Sequence, residues 1–169
     1  MGQKLRRRIL KRCLGIRSSR IIICMTEKIV CSGALFYSRS THRFLLLQKA
    51  SGKHAGTWGL VGGTNLENET AWTGLQREIQ EEINSTPKII KTIPLESFVS
   101  NDNVFNFHTY LCVVESEFVP MLSDEHQAWA WATLEKPPAP LHQGLRKSLN
   151  SKINKTKLQT VFKMIDLIK

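Results

Sequence analysis

Glu78, Glu81 and Glu82 stand at positions i, i+3 and i+4 of the proline-free stretch from Thr70 to Asn84, in which Trp72, Leu75, Ile79 and Ile83 recur at helical spacing. On a helix turning ~100° per residue the three carboxylates share one face. Local physics opposes that grouping. Like charges at these spacings repel by a few tenths of a kcal/mol per pair, and the C-terminal half of a helix is the wrong end of the macrodipole for anions. A solvated acidic face is the ordinary outcome for three glutamates. Here, however, the apolar stripe is centred only ~110° round the helix, so the acids border the core-facing side. Ala71 and Gly74 precede them on the carboxylate face and leave space, and Gly62-Gly63 upstream lets a strand end approach a ligand with bare carbonyls. Carboxylate and carbonyl oxygens are the ligands of Mg²⁺ and Mn²⁺. The residues therefore point to a divalent-cation site between a strand end and a helix face.

The spacing Gly63, five residues, Glu69, seven residues, then Arg77-Glu78-Ile79-x-Glu81-Glu82, preceded by Trp58-x-x-x-Gly62-Gly63, resembles the Nudix box. That box is the signature of hydrolases that cut nucleoside diphosphates linked to another moiety. It covers Gly63 to Ser85, and the flanking strand order extends the likeness over residues 26–135. The resemblance implies an α/β/α sandwich with a mixed, curved sheet, flanked by the box helix and a C-terminal helix. It implies a metal-dependent pyrophosphohydrolase in which the Gly62 carbonyl, Glu78, Glu81 and Glu82 hold Mg²⁺, with Mn²⁺ as a substitute. Arg77 would orient the carboxylates through its i, i+4 pair with Glu81, while Gly63 and Glu69 support the loop and helix start. A further acid, serving as base or metal ligand, falls on Glu125, with Asp124 as its rival and a plain surface acid as the ordinary reading of either. Two positions depart from the box pattern. Asn84 replaces a glycine, and Asn is the non-glycine residue that best tolerates a left-handed helix cap; Ser85 replaces an aliphatic residue without such a rationale.

Two readings compete with hydrolysis. One is a Nudix-fold binding protein that acts on RNA or an anionic membrane through its basic termini; retention of three crowded glutamates speaks against it. The other is a diphosphate isomerase, which would call for a cleft nucleophile or acid, and neither Cys31 nor Cys112 lies in a recognisable motif. There is no G-x-S-x-G elbow and no P-loop. His42, His54, His108, His126 and His142 form no metal-ligand pair and read as loop or surface residues. Trp58, Phe107, Tyr110, Trp129 and Trp131 read as core, with one of them available to stack on a base. The substrate stays open among nucleoside triphosphates, nucleotide sugars and capped RNA.

Around the box, Lys28–Tyr37 and Arg43–Lys49 carry strand-type patterns, residues 50–57 form a loop, and Trp58–Val61 reads as a short strand ending in the two glycines. Pro87 stops the box helix. Lys88–Val99, with Pro94 marking an edge or bulged strand, and Val104–Val114 are joined by a turn at Ser100–Asn103. On Val104–Val114 the face of Phe105, Phe107, Thr109, Leu111 and Val113 is the better core candidate. Ala128–Thr133 reads as a strand, and a helix is expected from about Lys155 to Ile168.

These elements belong to a chain of 169 residues whose formal charge of +10 is unevenly spread. Residues 1–20 hold eight basic residues and no acid, and residues 146–169 hold seven against Asp166, so the middle is acidic. Any contact with polyanions belongs to the ends. Residues 1–24 are expected to be a basic extension, amphipathic if helical, with organelle targeting as one use and a true start at Met25 as another; residues 25–169 are expected to form one Nudix domain. No apolar run approaches the ~18 to 20 residues of a membrane-spanning helix. Four cysteines without a CxxC pair and the lack of a secretory signal suggest a cytoplasmic setting, with a small nucleotide-derived substrate as the main partner.

Overall fold

The computed structural model describes residues 28–85 and 87–166; the basic segment 1–24 lies outside them. Seven strands and three helices follow in the order β1 (Ile29–Ser38), β2 (Arg43–Lys49), β3 (Trp58–Gly59), β4 (Val61–Thr64), α1 (Ala71–Ile83), β5 (Ile89–Val99), β6 (Phe105–Val114), β7 (His126–Ala132), α2 (Gln143–Asn150) and α3 (Lys152–Asp166). They build one mixed sheet in the order β3-β2-β1-β6-β5, with β4 added to β1 and β7 to β2. β1 runs parallel to β6 from Ile29↔Phe105 to Ser38↔Val114. Its other edge is shared: β4 takes Cys31 to Ala34 and β2 only Tyr37 and Ser38.

Both faces of this sheet are covered, so its strands are apolar on both sides. Ala34 and Phe36 of β1, with Leu45 and Leu47 of β2, pack under Leu75, Ile79 and Ile83 of α1. Alternate residues of the same strands, Leu35, Tyr37, Phe44 and Leu46, pack under Leu145 of α2 and Leu158 and Ile165 of α3. The result is the expected α/β/α sandwich. Each fully buried aliphatic side chain of α1 contributes roughly 1.5–3 kcal/mol to holding the helix on the sheet.

Several expectations change in detail. The strand expected over Trp58–Val61 is two strands, because the chain switches partner at Leu60, pairing first with β2 and then with β1. Gly62 and Gly63 consequently lie inside β4 and not at a strand end. On β6 the outcome is not one core face: Cys112 and Val114 join one core, Leu111 and Val113 the other, and Phe105 and Phe107 are only half-buried. Pro94 does lie on an edge strand, beside a register shift between Pro94 and Glu96. The expected C-terminal helix is α3, which begins at Lys152, and a further helix, α2, precedes it without having been expected; the end of the expected range, 167–168, lies outside the described residues. His142 caps the start of α2 by accepting the Gly144 N–H, and the Ser151 N–H closes its end on the Lys147 and Ser148 carbonyls. Among the described residues no helix is long and apolar enough to cross a membrane.

Candidate active site

Thr70 starts α1 by accepting the Thr73 N–H at 3.1 Å, and Asn84 ends it in the left-handed conformation, φ 45° and ψ 30°. Between these caps α1 lies against β4, and glycine decides how closely. At Gly62, φ +145° excludes most side chains, and a Cβ would run into the Ser32 carbonyl. At Gly63 a Cβ would stand 2.6 Å from the Glu78 carboxyl carbon. Glycine there leaves the place that the Glu78 carboxylate fills. Gly74 proves different from expectation: the hollow beside it is filled by Asn65, whose side chain accepts from Ser32 Oγ at 3.0 Å and donates to the Thr70 carbonyl at 2.7 Å.

Arg77 is the hub of the polar cluster. Its guanidinium donates to Glu69 Oε1 at 2.8 Å, Glu69 Oε2 at 3.0 Å, Glu78 Oε1 at 2.8 Å, Glu81 Oε2 at 3.2 Å and the Thr64 carbonyl at 3.0 Å. Glu69 also accepts the Leu66 N–H at 2.7 Å, which ties the loop before α1 to the helix. Arg77 first, then that N–H, holds Glu69 down to about 2.

Glu82 is the most deeply placed acid of the cluster, 4% exposed. Its Oε2 accepts the Gly62 N–H at 2.7 Å, and its Oε1 lies 3.7 Å from His126 Nε2. Burial pushes Glu82 up to about 8; the Gly62 N–H and Lys49 oppose the shift, and the charges of Glu78 and Glu125 add to it. Burial also raises Glu78, against the pull of Arg77. Glu81, by contrast, is mostly exposed.

Glu125 comes into this group from the loop before β7. Its Oε2 meets Lys49 Nζ at 2.8 Å, its carbonyl accepts the Ala50 N–H at 2.8 Å, and its charge is felt at both Glu78 and Glu82. Asp124 is exposed. Two neighbours had no signal in the sequence. Lys49 ends a strand 76 positions from Glu125, and His126, expected at the surface, is buried beside Glu82. Burial and Lys49 push His126 down to about 4, so its ring is neutral at pH 7. Its Nδ1 is buried without a hydrogen-bond partner.

The acids do not form a finished cage. Among the described residues no three His, Cys, Asp or Glu side chains converge on one point, since Glu78 and Glu81 lean on Arg77. What the site has is all-oxygen donors and a buried carboxylate starved of positive charge, a combination suited to a hard divalent cation.

The sequence profile of the NUDIX domain matches residues 29–151. The chain belongs to the Nudix family. It is 32% identical over 117 residues to dihydroneopterin triphosphate diphosphatase of Haemophilus influenzae, a match covering 60% of this chain and 72% of that protein. It is 39% identical over 56 residues to Nudix hydrolase 7 of Arabidopsis thaliana, covering 32% of this chain and 20% of that one. A crystal structure of a MutT NUDIX hydrolase from Burkholderia pseudomallei superposes with a TM-score of 0.58 at 24% identity, covering 75% of this chain and 98% of the other, and shows the shared fold. The Nudix profile and relatives make this protein a hydrolase of pyrophosphate bonds. In this Nudix hydrolase the box helix, β4 and the Glu125 loop meet at one place, and the polar cluster lies there.

Proposed function

We propose that this Nudix hydrolase is a divalent-cation-dependent pyrophosphohydrolase that cleaves a nucleotide-like compound, a flat heterocycle carrying a diphosphate or triphosphate. The observation that carries the reading is the buried Glu82 carboxyl, tied to the Gly62 N–H at 2.7 Å on the side of α1 that also bears Glu78 and Glu81. Glu78, Glu81, Glu82 and the Gly62 carbonyl are the residues to hold Mg²⁺, with Mn²⁺ as its substitute. When bound, the cation neutralises the diphosphate and acidifies water for attack at phosphorus. The remaining work falls to the chain. Arg77 keeps Glu78 and Glu81 on one side of the helix, Glu69 keeps Arg77 in place, and Lys49 holds Glu125 facing the cluster. Glu125 is the residue proposed to accept the proton of the attacking water.

The part of the molecule proposed to take the heterocycle is an aromatic row on β5 and β6. Phe107 and Leu60 both lie over Gly33 of β1, and the row continues through Phe105 to Phe98 with ring centroids 6.4 Å apart at each step. Phe98 is 54% exposed, and such a shelf suits a stacked base or pterin. The relative named for dihydroneopterin triphosphate brings a pterin substrate into the test beside nucleotides. The experiment is turnover of nucleoside triphosphates, nucleotide sugars, capped RNA and dihydroneopterin triphosphate with Mg²⁺ or Mn²⁺, read by product identity. Cleavage of at least one at a phosphoric anhydride, abolished by EDTA, is expected. Undiminished turnover in EDTA would overturn the cation requirement.

A further inference from the structure

We propose that Asn84 is a positioning residue: its side chain pins the loop that carries Glu125 to the end of the box helix. The proposal rests on the reading of Glu125 given above.

The left-handed conformation of Asn84 is one that glycine adopts more easily, and the Nudix box has glycine at this place. The asparagine side chain makes a contact that glycine cannot. Its Nδ2 donates to the Met121 carbonyl at 3.0 Å, while the Met121 N–H donates to the Ile83 carbonyl at 3.0 Å. Both backbone polar groups of Met121 are thus held by two successive residues of the helix end. Two positions on, the Ser123 N–H donates to the Glu82 carbonyl at 2.9 Å, and the Ser123 carbonyl accepts the His126 N–H at 3.1 Å. Glu125 follows, fastened to β2 through Lys49 and Ala50.

The segment is therefore a strap between the end of α1 and the end of β2, with the acid at its far anchor. Apolar packing holds alternate residues of it and leaves the outward-facing ones to their hydrogen bonds. Pro120 is buried and Leu122 joins the core beneath α1, but Met121 is 63% exposed and Val119 71%. An exposed hydrogen bond of this kind adds little to stability, because water replaces it on the Met121 carbonyl. It does fix direction, and small displacements of a reacting group are costly to turnover.

The test is Asn84→Gly, alone and combined with Glu125→Gln. Glycine keeps the backbone conformation and removes only the donor, so the melting temperature is expected to stay within ~2 °C of wild type. On the best substrate of the panel, kcat is expected to fall about tenfold with KM little changed. In the Glu125→Gln background the same substitution is expected to have no further effect, since no carboxylate remains to be positioned. Amide hydrogen exchange at residues 121–125 of the metal-free protein is expected to accelerate in Asn84→Gly. Unchanged exchange would overturn the proposal, and so would an equal fall in kcat with and without Glu125. If no substrate on the panel is turned over, the functional reading fails on its own, and exchange still decides whether Asn84 holds the loop.

Discussion

Glu82 concentrates the conflict between stability and function in one side chain. In the folded protein it titrates at about 8 against 4.5 for a free glutamate, so between those values the native state binds the extra proton and stability falls as pH rises. His126 acts in the opposite sense. Its folded value of about 4, against 6.5, makes stability rise with pH between 4 and 6.5. The two oppose each other up to pH 6.5 and Glu82 acts alone above it. In EDTA, stability is therefore expected to fall by about 2 kcal/mol between pH 6.5 and 8, read as a lower melting temperature. Glu82→Gln is expected to flatten that slope, raise stability at pH 8 and abolish turnover. A flat wild-type profile, or near-wild-type rates in the variant at saturating Mg²⁺, would refute this account. Ser85 has no comparable explanation: its hydroxyl is buried without a partner where the box has an aliphatic side chain.

At the scale of elements, the approach of α1 to β4 separates two adjacent glycines by role. Gly62 answers to the backbone, through its positive φ and its contact with the Ser32 carbonyl; Gly63 answers to the Glu78 side chain. Gly62→Ala is expected to cost ~3 kcal/mol or more, because neither the strand nor its conformation can give way. Gly63→Ala meets only the far end of a flexible side chain, so stability is expected to change by less than about 1 kcal/mol. Turnover is nevertheless expected to fall ~100-fold or more as the Glu78 carboxylate is displaced. Thermal melts and turnover of the two variants check the pair. Equal losses of stability would show that β4 and α1 meet differently.

Across the whole molecule, basic residues of the central part pair with acids, as Arg39, Arg43, Lys49 and Arg77 do, whereas among the described residues those of the C-terminal helices do not. The acids gather between residues 21 and 145, whereas α2 and α3 carry Arg146, Lys147, Lys152, Lys155, Lys157 and Lys163. None of these six pairs with a carboxylate among the described residues; the Lys157 ammonium instead donates to the Leu95 carbonyl at 2.6 Å. Residues 1–24 hold eight further basic residues, and removing them lowers the formal charge from +10 to +2. Since polyanion binding weakens with each lost cation, the chain lacking residues 1–24 is expected to elute from heparin at much lower salt with unchanged kcat/KM. A large loss of catalysis would place the arm in the active site. Unchanged retention would assign the anionic contact to α2 and α3.

The parts that were legible in the sequence are those written in short-range geometry. Trp72, Leu75, Ile79 and Ile83 announce α1 because helical spacing is a property of the local backbone, and the same rule sets Glu78, Glu81 and Glu82 on one side and Arg77 within reach of Glu81. Asn84 marks the helix stop by its tolerance of the left-handed region. Glu69 and Glu125 are named by the likeness to the Nudix box and not by periodicity. The rest depends on pairs far apart in the chain. Only the sheet could reveal that β1 shares an edge between β2 and β4, that β6 is buried on both sides, or that Asn65 fills the hollow at Gly74. Only tertiary packing brings Lys49 to Glu125 and His126 to Glu82, and it is burial among those neighbours that pushes Glu82 up to about 8. Residue type and spacing thus determine which groups are present and which helix bears them. Their protonation is decided by the tertiary structure, because desolvation and long-range charge exist only once distant segments have met.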